Sequence, residues 1–321
     1  MYDIITIGSA TRDVFLISEQ FIALKTNRVS TGVAECMALG SKVEIKDIIF
    51  TTGGGATNAA ATFASLGFRT ATITRVGKDN PGKDIIEDLS QHGVSTHLVK
   101  AAGSGATAYS TLITMEDGER TALVYRGTCG AFRATDIPQA TFKQTKWIYL
   151  TSLGGNDALP KKIITSAHKA GVRVAWNPGH EEIKNGFGAL KDVLPFVDVL
   201  IMNTEEGELL TGKKKIPQML KMIAASNTVR IITDGTNGSY VEQGGKIFHA
   251  RTTGVKAISR TGAGDAFGSG FVASFIKDTN AINALAIGTI NAESVIRHIG
   301  AKLGILKSWP TKRMMDKIKI D

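Results

Sequence analysis

Short apolar runs alternate with helix-like segments along most of this 321-residue chain, and that alternation restricts the fold more than any other feature. The run at residues 198–202 reads Asp-Val-Leu-Ile-Met, as expected of a strand that is buried on both faces of a sheet. Strands are predicted at residues 2–8, 70–76, 146–151, 172–176, 197–202 and 229–233. Helices are predicted near residues 56–66, 81–92, 157–170, 204–211, 216–226, 264–277 and 281–298. The pattern predicts an α/β fold, a doubly wound and mostly parallel sheet with helices on both faces.

Two segments, residues 14–50 and 104–128, interrupt this alternation. They are rich in Thr, Val, Ile and Ser, and the second contains the turn-like sequence Glu-Asp-Gly-Glu at residues 116–119. The near-alternating pattern predicts antiparallel strands outside the main sheet, which could form a small β lid over a cleft or an interface with a second subunit. Because no low-complexity linker divides the chain, we expect one domain over residues 1–321, with the lid built from these two insertions.

Composition and charge exclude several classes of protein. No run approaches the ~20 apolar residues of a membrane span, and the N-terminus lacks the pattern of a secretory signal. Cys36 and Cys129 fit no metal spacing, so we expect a cytoplasmic protein with reduced thiols and no membrane partner. The net charge of +9 favours anionic ligands. The basic segments at 213–215 and 302–319 lack interleaved aromatic residues, which predicts solvated surfaces and no nucleic-acid partner.

Residues 261–267 read Thr-Gly-Ala-Gly-Asp-Ala-Phe and precede an apolar helical run. The small residues Gly262, Ala263 and Gly264 leave backbone N–H groups uncovered where the helix begins, which makes an anion site. Asp265 lies beside it, where a carboxylate could take a proton from a hydroxyl that attacks a phosphoryl group. An ordinary carboxylate cap at a glycine-rich helix start is the alternative at this point.

A second glycine-rich element, at Gly53 and Gly54, precedes Asn58 and an alanine-rich helix. Absent side chains let the backbone approach a small ligand closely, and the Asn58 amide offers both a donor and an acceptor to hydroxyl groups. Asp13 follows the first predicted strand and could accept hydrogen bonds from a sugar. A plain glycine turn and a solvated loop aspartate are the alternatives here.

Two further motifs follow predicted strands, where ligands collect in doubly wound sheets. Asn203 and Glu206 could hold Mg²⁺ through water or form a helix capping box, and both roles can coexist. The turn from Thr233 through Gly235 to Gly238 could admit a nucleotide phosphate or ribose, or be only a hairpin.

Together and in this order, these motifs resemble those of the ribokinase-like (PfkB) carbohydrate kinase family, over nearly the whole chain. The resemblance also includes Arg75-Val-Gly-Lys-Asp79 with Gly82, and Asn291 in the last helix. It implies an ATP-dependent, magnesium-using kinase with a central sheet of about eight or nine strands and a β lid. The acceptor is a small molecule, a sugar or a nucleoside.

The resemblance implies a role for each matching residue. Asp265 would be the general base, with the amides around Gly262, Ala263 and Gly264 as the anion hole. Asn203 and Glu206 would organise Mg²⁺ and the phosphates. The residues implied to border ATP are Thr233, Gly235, Gly238 and Asn291, and those implied to hold the acceptor are Asp13, Gly53, Gly54 and Asn58.

One position departs from the family pattern. The family commonly has an aspartate two residues before the threonine of its last motif, where this chain has Ser259. Because a hydroxyl is a weaker ligand than a carboxylate, this departure argues against activation by a monovalent cation such as potassium. The glycine element also lacks the lysine found in some ribokinases, so ribose is not specifically implied.

Other functions stay open or are excluded on particular residues. The last helix is similar to that of nucleoside-phosphorylating relatives, and the basic charge leaves a phosphorylated sugar as a third acceptor. A catalytically silent sugar or nucleotide sensor is the non-enzyme alternative, which the presence of Asp265 and Glu206 disfavours. Residues 77–84 resemble a Walker A loop, but Pro81 and Asp84 exclude one. Exposed lid strands would allow a homodimer by edge pairing.

Overall fold

The computed structural model describes residues 1–29, 31–115, 120–154, 158–224 and 228–321. The strands are β1 (Tyr2–Ile7), β2 (Thr11–Ile17), β3 (Ile22–Lys25), β4 (Val33–Cys36), β5 (Asp47–Gly53), β6 (Thr70–Ile73), β7 (Arg75–Val76), β8 (Lys100–Ala101), β9 (Ala108–Thr114), β10 (Arg120–Tyr125), β11 (Thr145–Leu150), β12 (Arg173–Trp176), β13 (Val199–Asn203), β14 (Val229–Thr233), β15 (Ser239–Gln243) and β16 (Lys246–Ala250). The helices are α1 (Gly55–Ser65), α2 (Asn80–Gln91), α3 (Ala158–Lys169), α4 (His180–Ile183), α5 (Phe187–Leu190), α6 (Thr204–Thr211), α7 (Ile216–Met222), α8 (Ala263–Asp278), α9 (Ala281–Val295) and α10 (Lys312–Met315). Within these ranges no helix is long and apolar enough to cross a membrane.

The main sheet has eight strands in the order β16-β15-β14-β13-β12-β11-β1-β6. The six strands from β14 to β6 are parallel, and β15 and β16 extend the sheet as an antiparallel edge. The six apolar runs of the sequence correspond to these six parallel strands, so the prediction of a mostly parallel sheet is confirmed.

Helices cover both faces of this sheet because alternate residues of each strand point to opposite sides. In β13, Leu200 and Met202 pack in one core with Ile163 of α3, whereas Ile201 packs in the other core with Phe271 of α8. Helices α3, α6 and α7 contribute to the first core, and α1, α8 and α9 contribute to the second. This is the doubly wound arrangement that the sequence predicts.

A second sheet has four strands in the order β10-β9-β2-β5, and β3 pairs with β4 in a separate hairpin. The strands lie in the two segments predicted to leave the main sheet. In the first segment, however, β2 already begins at Thr11 and β5 continues to Gly53, beyond the predicted limits of 14–50. The prediction of purely antiparallel strands is wrong, because β2 and β9 run parallel. The turn predicted at 116–119 lies outside the described residues.

Two predicted elements end earlier than expected, for identifiable reasons. The strand predicted at 70–76 breaks at Thr74, whose hydroxyl donates to the Gly8 carbonyl at 2.7 Å. Helix α9 ends at Val295 instead of residue 298, and the carbonyl of Ile296 then accepts from the N–H of Ile258 at 2.7 Å. Residue 157 of one predicted helix and residues 225–226 of another lie outside the described residues.

The C-terminal segment differs from the solvated surface predicted for residues 302–319. Arg251 N donates to Lys319 O at 3.0 Å, and His249 and Asp321 exchange two backbone bonds of 2.9 Å, so the end of the chain pairs along the edge of the main sheet. Lys302, the first residue of the predicted solvated segment, is only 8% exposed. The prediction is wrong at these positions, although Lys307, like most lysines of the segment, is exposed.

Candidate active site

Helix α8 is preceded by Gly262, a position where any larger residue would clash with its neighbours. Gly262 has a left-handed backbone (φ +80°), and a Cβ there would lie 2.4 Å from the Cβ of Ala301. The helix N-terminus is therefore pressed against the chain segment that follows α9. Open space surrounds the Cα of Gly264 two residues later, because no atom lies within 4 Å of where its Cβ would be. Backbone amides in the first turn of a helix lack acceptors within the helix, which favours an anion at such a position.

Asp265 lies in the first turn of α8, and its carboxylate is held by another helix. Its Oδ2 accepts a hydrogen bond of 2.8 Å from Nδ2 of Asn58 in α1. Burial raises the pKa of Asp265, and the charge of Asp13 adds to the increase, while the Asn58 bond and the charge of Lys302 lower it. The net direction is upward. Such a carboxylate is a stronger base than a solvated one.

Two of the predicted acceptor residues act on the Asp265 carboxylate: Asn58 donates a hydrogen bond to it, and the charge of Asp13 raises its pKa. Asp13 lies in strand β2, not in the loop that the sequence suggested; it is 6% exposed and accepts from the Thr11 hydroxyl at 2.8 Å. A Cβ on Gly53 would lie 2.0 Å from Oδ2 of Asp13, so only glycine allows this contact. Burial also raises the pKa of Asp13.

Asn58 and Gly54 complete this end of the site. Gly54 has φ +98°, and a Cβ there would lie 2.5 Å from the Ser9 carbonyl oxygen, so the chain turns into α1 in a conformation that glycine permits. Asn58 is 5% exposed, and its Oδ1 is buried with no hydrogen-bond partner among the described residues. A buried acceptor without a donor is unusual, and a ligand hydroxyl would satisfy it.

Asn203 and Glu206 form the capping box that the sequence offered as one alternative. Asn203 Oδ1 accepts from Glu206 N, and Glu206 Oε2 accepts from Asn203 N, both at 2.8 Å. Burial raises the pKa of Glu206; the Asn203 bond opposes this shift and the charge of Asp265 adds to it, so the two carboxylates lie within electrostatic reach. The described residues contain no group of three His, Cys, Asp or Glu that could hold a metal ion. These residues therefore fit Mg²⁺ held mainly by water and phosphate oxygens, as this ion prefers.

The turn after β14 lies beside the capping box of Asn203 and Glu206, because Thr233 and Asn203 are register partners in adjacent strands. Gly238 has φ +101°, and a Cβ there would lie 2.0 Å from the Ala250 carbonyl oxygen. The Thr252 hydroxyl donates to the Thr236 carbonyl at 2.9 Å and ties the turn to the next segment. Gly235, at the tip, is exposed.

Next to this segment is a cleft of about 970 Å³, large enough for a nucleotide. Its walls include Arg251, Thr253 and Gly254 on one side and Glu293 and Arg297 on the other. The sequence analysis missed this cleft, because a wall built from one loop and one helix end has no motif of its own.

Asn291, the last residue of the predicted ATP-bordering set, lies in the interior. Its side chain is fully buried; Nδ2 donates to the Ala266 carbonyl at 2.7 Å, and Oδ1 accepts from Leu306 N at 2.9 Å. These bonds connect α9 to α8 and to the C-terminal segment. Both bonds are made within the protein, and the position of Asn291 beside ATP stays a prediction.

Ser259 and Lys302 are the remaining residues of interest near the start of α8. Ser259 is 6% exposed, and its hydroxyl accepts from Thr261 N at 3.3 Å, so it stabilises the segment that enters the helix. Lys302 was missed by the sequence analysis, because a lysine in a basic tail is ordinarily solvated. Its charge acts on Asp13, Asp88 and Asp265.

A helix N-terminus, a half-buried aspartate in its first turn and an Asn–Glu capping pair at a strand end of a doubly wound sheet together form a site that suits an α/β kinase. The model of the pfkB family of carbohydrate kinases matches residues 1–308, and the chain belongs to this family of phosphotransferases that act on alcohol groups. The chain is 30% identical over 258 residues to the ATP-dependent ribose-1-phosphate kinase of Halopiger xanaduensis, covering 75% of this chain and 82% of that protein. It is 27% identical over 249 residues to an uncharacterised sugar kinase of Archaeoglobus fulgidus, covering 76% and 97%.

Solved structures show the same fold. The structure of Arabidopsis thaliana ribokinase complexed with ribose and ATP matches with a TM-score of 0.77 at 21% identity, covering 98% of both chains. The nucleoside kinase of Methanocaldococcus jannaschii matches with a TM-score of 0.75 at 19% identity, covering 99% of this chain and 98% of that one. The predicted ribokinase-like fold is therefore confirmed.

Proposed function

We propose that this protein transfers the γ-phosphoryl group of ATP to a hydroxyl of a sugar, with Asp265 as the general base. The observation that carries the proposal is the position of Asp265. Its half-buried carboxylate, of raised pKa, lies in the first turn of α8 and contacts Asn58 of the acceptor element. The names of the relatives include ribokinases, a probable fructokinase, a nucleoside kinase, a 6-phosphofructokinase and a ribose-1-phosphate kinase, which support a sugar or nucleoside acceptor.

The reaction follows from these contacts. The acceptor hydroxyl binds near Asp13 and the unpartnered Oδ1 of Asn58, and Asp265 takes its proton. The acceptor oxygen forms a bond to the γ-phosphorus while the bond from that phosphorus to the β–γ bridging oxygen breaks, which releases ADP. The amides at Gly262, Ala263 and Gly264 hold the transferring group, which carries charge on its outer oxygens.

The nucleotide side of the proposal uses the turn after β14 and the adjacent cleft. Thr233, Gly235 and Gly238 would border the phosphates or ribose of ATP, and the cleft beyond Thr252 would hold the base. Asn203 and Glu206 would hold Mg²⁺ through water, and the ion supplies positive charge that neutralises the phosphates. Glu206 Oε2 is used by the helix cap, so Oε1 is the oxygen assigned to the water shell.

A neutral polyhydroxyl acceptor fits the site better than a phosphorylated one. The carboxylates of Asp13 and Asp265, both assigned to the acceptor end of the site, would repel a second anion there. A nucleoside is the second candidate, because its ribose offers the same hydroxyl groups. We assign the four-stranded sheet to the lid, since β2 carries Asp13 and β5 ends at Gly53, so that both strands reach the acceptor end of the site.

A panel of sugars, nucleosides and sugar phosphates, each supplied with ATP and Mg²⁺, tests this proposal. ADP release and mass spectrometry of the product are measured with and without potassium. We expect phosphorylation of neutral sugars and similar rates in the two salts. ATP binding without product formation from any compound would instead identify a sensor.

A further inference from the structure

A lysine ammonium is buried at the acceptor end of the candidate site. The Lys302 side chain is 6% exposed, and its Nζ donates to Asp88 Oδ2 at 2.7 Å and to Thr52 Oγ1 at 2.5 Å. The Thr52 hydroxyl donates in turn to Asp88 Oδ2 at 2.7 Å, so the three side chains contact one another. An ammonium in such a position is costly unless carboxylates compensate it.

Three carboxylates act on this one ammonium. Burial lowers the pKa of Lys302, while the charges of Asp88, Asp13 and Asp265 raise it. Burial raises the pKa of Asp88, but Lys302, together with the Thr52 hydroxyl and His92, lowers it by more, so the net direction is downward. Lys302 also lowers the pKa values of Asp13 and Asp265, although burial keeps both raised overall. The Asp88 ion pair thus accounts for only part of the electrostatic environment of Lys302.

The loop that carries Lys302 contacts both sides of the site. Ala301 packs against Gly262 at the start of α8, where an added Cβ would approach to 2.4 Å. Gly300, with φ +102°, faces Thr51 of β5, and a Cβ there would lie 3.0 Å from Thr51 Cγ2. This loop therefore connects the start of α8 to strand β5 of the four-stranded sheet, and its next residue, Lys302, contacts Thr52 of that strand.

We propose that Lys302 is a positioning residue for phosphoryl transfer, whose ammonium, anchored on Thr52 and Asp88, supplies positive charge beside the carboxylates of Asp13 and Asp265 at the acceptor end of the site. This inference rests on the proposed function and deepens it. Lys302 acts through Asp265, which contacts the reacting hydroxyl. Without the ammonium, the nearby carboxylates would repel one another, and the base would take up a proton at a higher pH.

Several groups besides Lys302 interact with Asp265, and all of them are unchanged in the variants tested below. They are the Asn58 amide, the carboxylates of Asp13 and Glu206, and the hydroxyl of Tyr149. None of these four groups is a cation, and Lys302 is the cation whose charge acts on Asp265. Its removal should therefore change the titration of Asp265 in one direction only, toward higher pH.

The test uses variants that separate this role from a structural ion pair. The double variant Asp88→Asn, Lys302→Met removes both charges of the Lys302–Asp88 ion pair, so neither partner of that pair is left charged without the other. Asp88→Asn alone keeps the ammonium, and Lys302→Arg keeps a cation. Lys307→Met is the matched control, because Lys307 is exposed in the same segment. Circular dichroism and thermal unfolding show that each variant is folded.

The kinetic readouts are kcat, the KM values of acceptor and ATP, and the pH profile of kcat/KM. We expect the double variant to lose at least about tenfold in kcat/KM for the acceptor, with its acid limb at higher pH by about one unit, since a nearby cation lowers the pKa of a carboxylate. Asp88→Asn and Lys302→Arg should keep the acid limb of the wild type. Wild-type kinetics in the double variant would overturn the proposal and reduce Lys302 to a partner of Asp88.

A second readout does not depend on turnover. The carboxyl carbon of Asp265 is titrated by ¹³C NMR, with Asp265→Asn to assign its signal. The Asp265 pKa should be higher in the double variant than in the wild type and unchanged in Lys307→Met. An unchanged Asp265 pKa in the double variant overturns the role of Lys302. Absence of phosphorylation by the wild type would overturn the proposed function, and the titration would still decide the role of Lys302.

Discussion

Asp265 differs from an ordinary helix-capping aspartate in what its side chain contacts. A cap accepts hydrogen bonds from N–H groups of its own first turn, whereas Asp265 accepts from the amide of Asn58 in α1. Burial raises its pKa, as expected for a carboxylate that is withdrawn from water. These two properties favour the base over the cap among the alternatives that the sequence left open.

Replacing this base should abolish most turnover without changing nucleotide affinity. We expect Asp265→Asn to lower kcat by about 10²–10⁴-fold, the usual loss for a general base, and to leave the Kd for ATP unchanged. Asp278→Asn, at the exposed far end of the same helix, should behave as the wild type. Steady-state kinetics and calorimetric titration with ATP measure both effects. Near-normal turnover in Asp265→Asn would exclude the assigned role.

The pH profile should show the raised pKa of Asp265. The base works only when it is deprotonated, so kcat/KM falls as the pH drops through its pKa, and that pKa lies above the ordinary aspartate value because of burial. The acid limb should therefore appear at higher pH than for a solvated aspartate. The residual activity of Asp265→Asn should lack this limb, and its persistence there would assign the limb to another group.

Single residues also show the limit of sequence analysis. An asparagine in an apolar helix reads the same whether its amide faces a ligand or, as for Asn291, two neighbouring segments of the interior. A lysine in a basic tail reads as solvated, and only the fold brings Lys302 against Asp88, more than 200 positions earlier in the chain. The motifs around Asp265 and Asn58 were recognisable because backbone exposure at a helix start is a local property of small residues.

At the scale of elements, burial decided which strands could be predicted. The six parallel strands are continuous apolar runs, because both of their faces are covered. Strands β15 and β16 were missed because they lie at the edge of the sheet and mix polar with apolar residues. Strand β2 was missed at its start because Arg12 and Asp13 interrupt its apolar pattern. Asp13 is one of the residues assigned to the acceptor end of the candidate active site.

The entry to α8 should tolerate substitution at one glycine and not at another. Gly262→Ala meets a left-handed backbone and the Cβ of Ala301 at 2.4 Å. The conformation alone costs about 1–2 kcal/mol, so we expect a lower Tm and a lower kcat. Gly264→Ala has open space, and its Tm should equal that of the wild type. Thermal unfolding of both variants measures the difference, and equal Tm values would contradict the packing described here.

The four-stranded sheet should close over the acceptor. If the sheet forms a lid, acceptor binding slows hydrogen exchange in β2, β5 and β9, because their amides become less accessible to water. Strand β12, buried in the main sheet, serves as the internal control. Exchange is followed by mass spectrometry with ATP alone, acceptor alone and both. Unchanged exchange in β2 and β5 with saturating acceptor would contradict a moving lid.

At the scale of the whole molecule, the surface of the lid predicts a homodimer. Its two edge strands, β5 and β10, expose Phe50 (54%), Leu123 (56%) and Val124 (59%), and exposed apolar edges of this kind pair with another chain. Light scattering should give about twice the 34.1 kDa of one chain. Leu123→Asp should yield monomers, while Ile282→Asp, an exposed position on α9, should stay dimeric. A monomeric wild type at micromolar concentration would leave the lid as a cover for the acceptor alone.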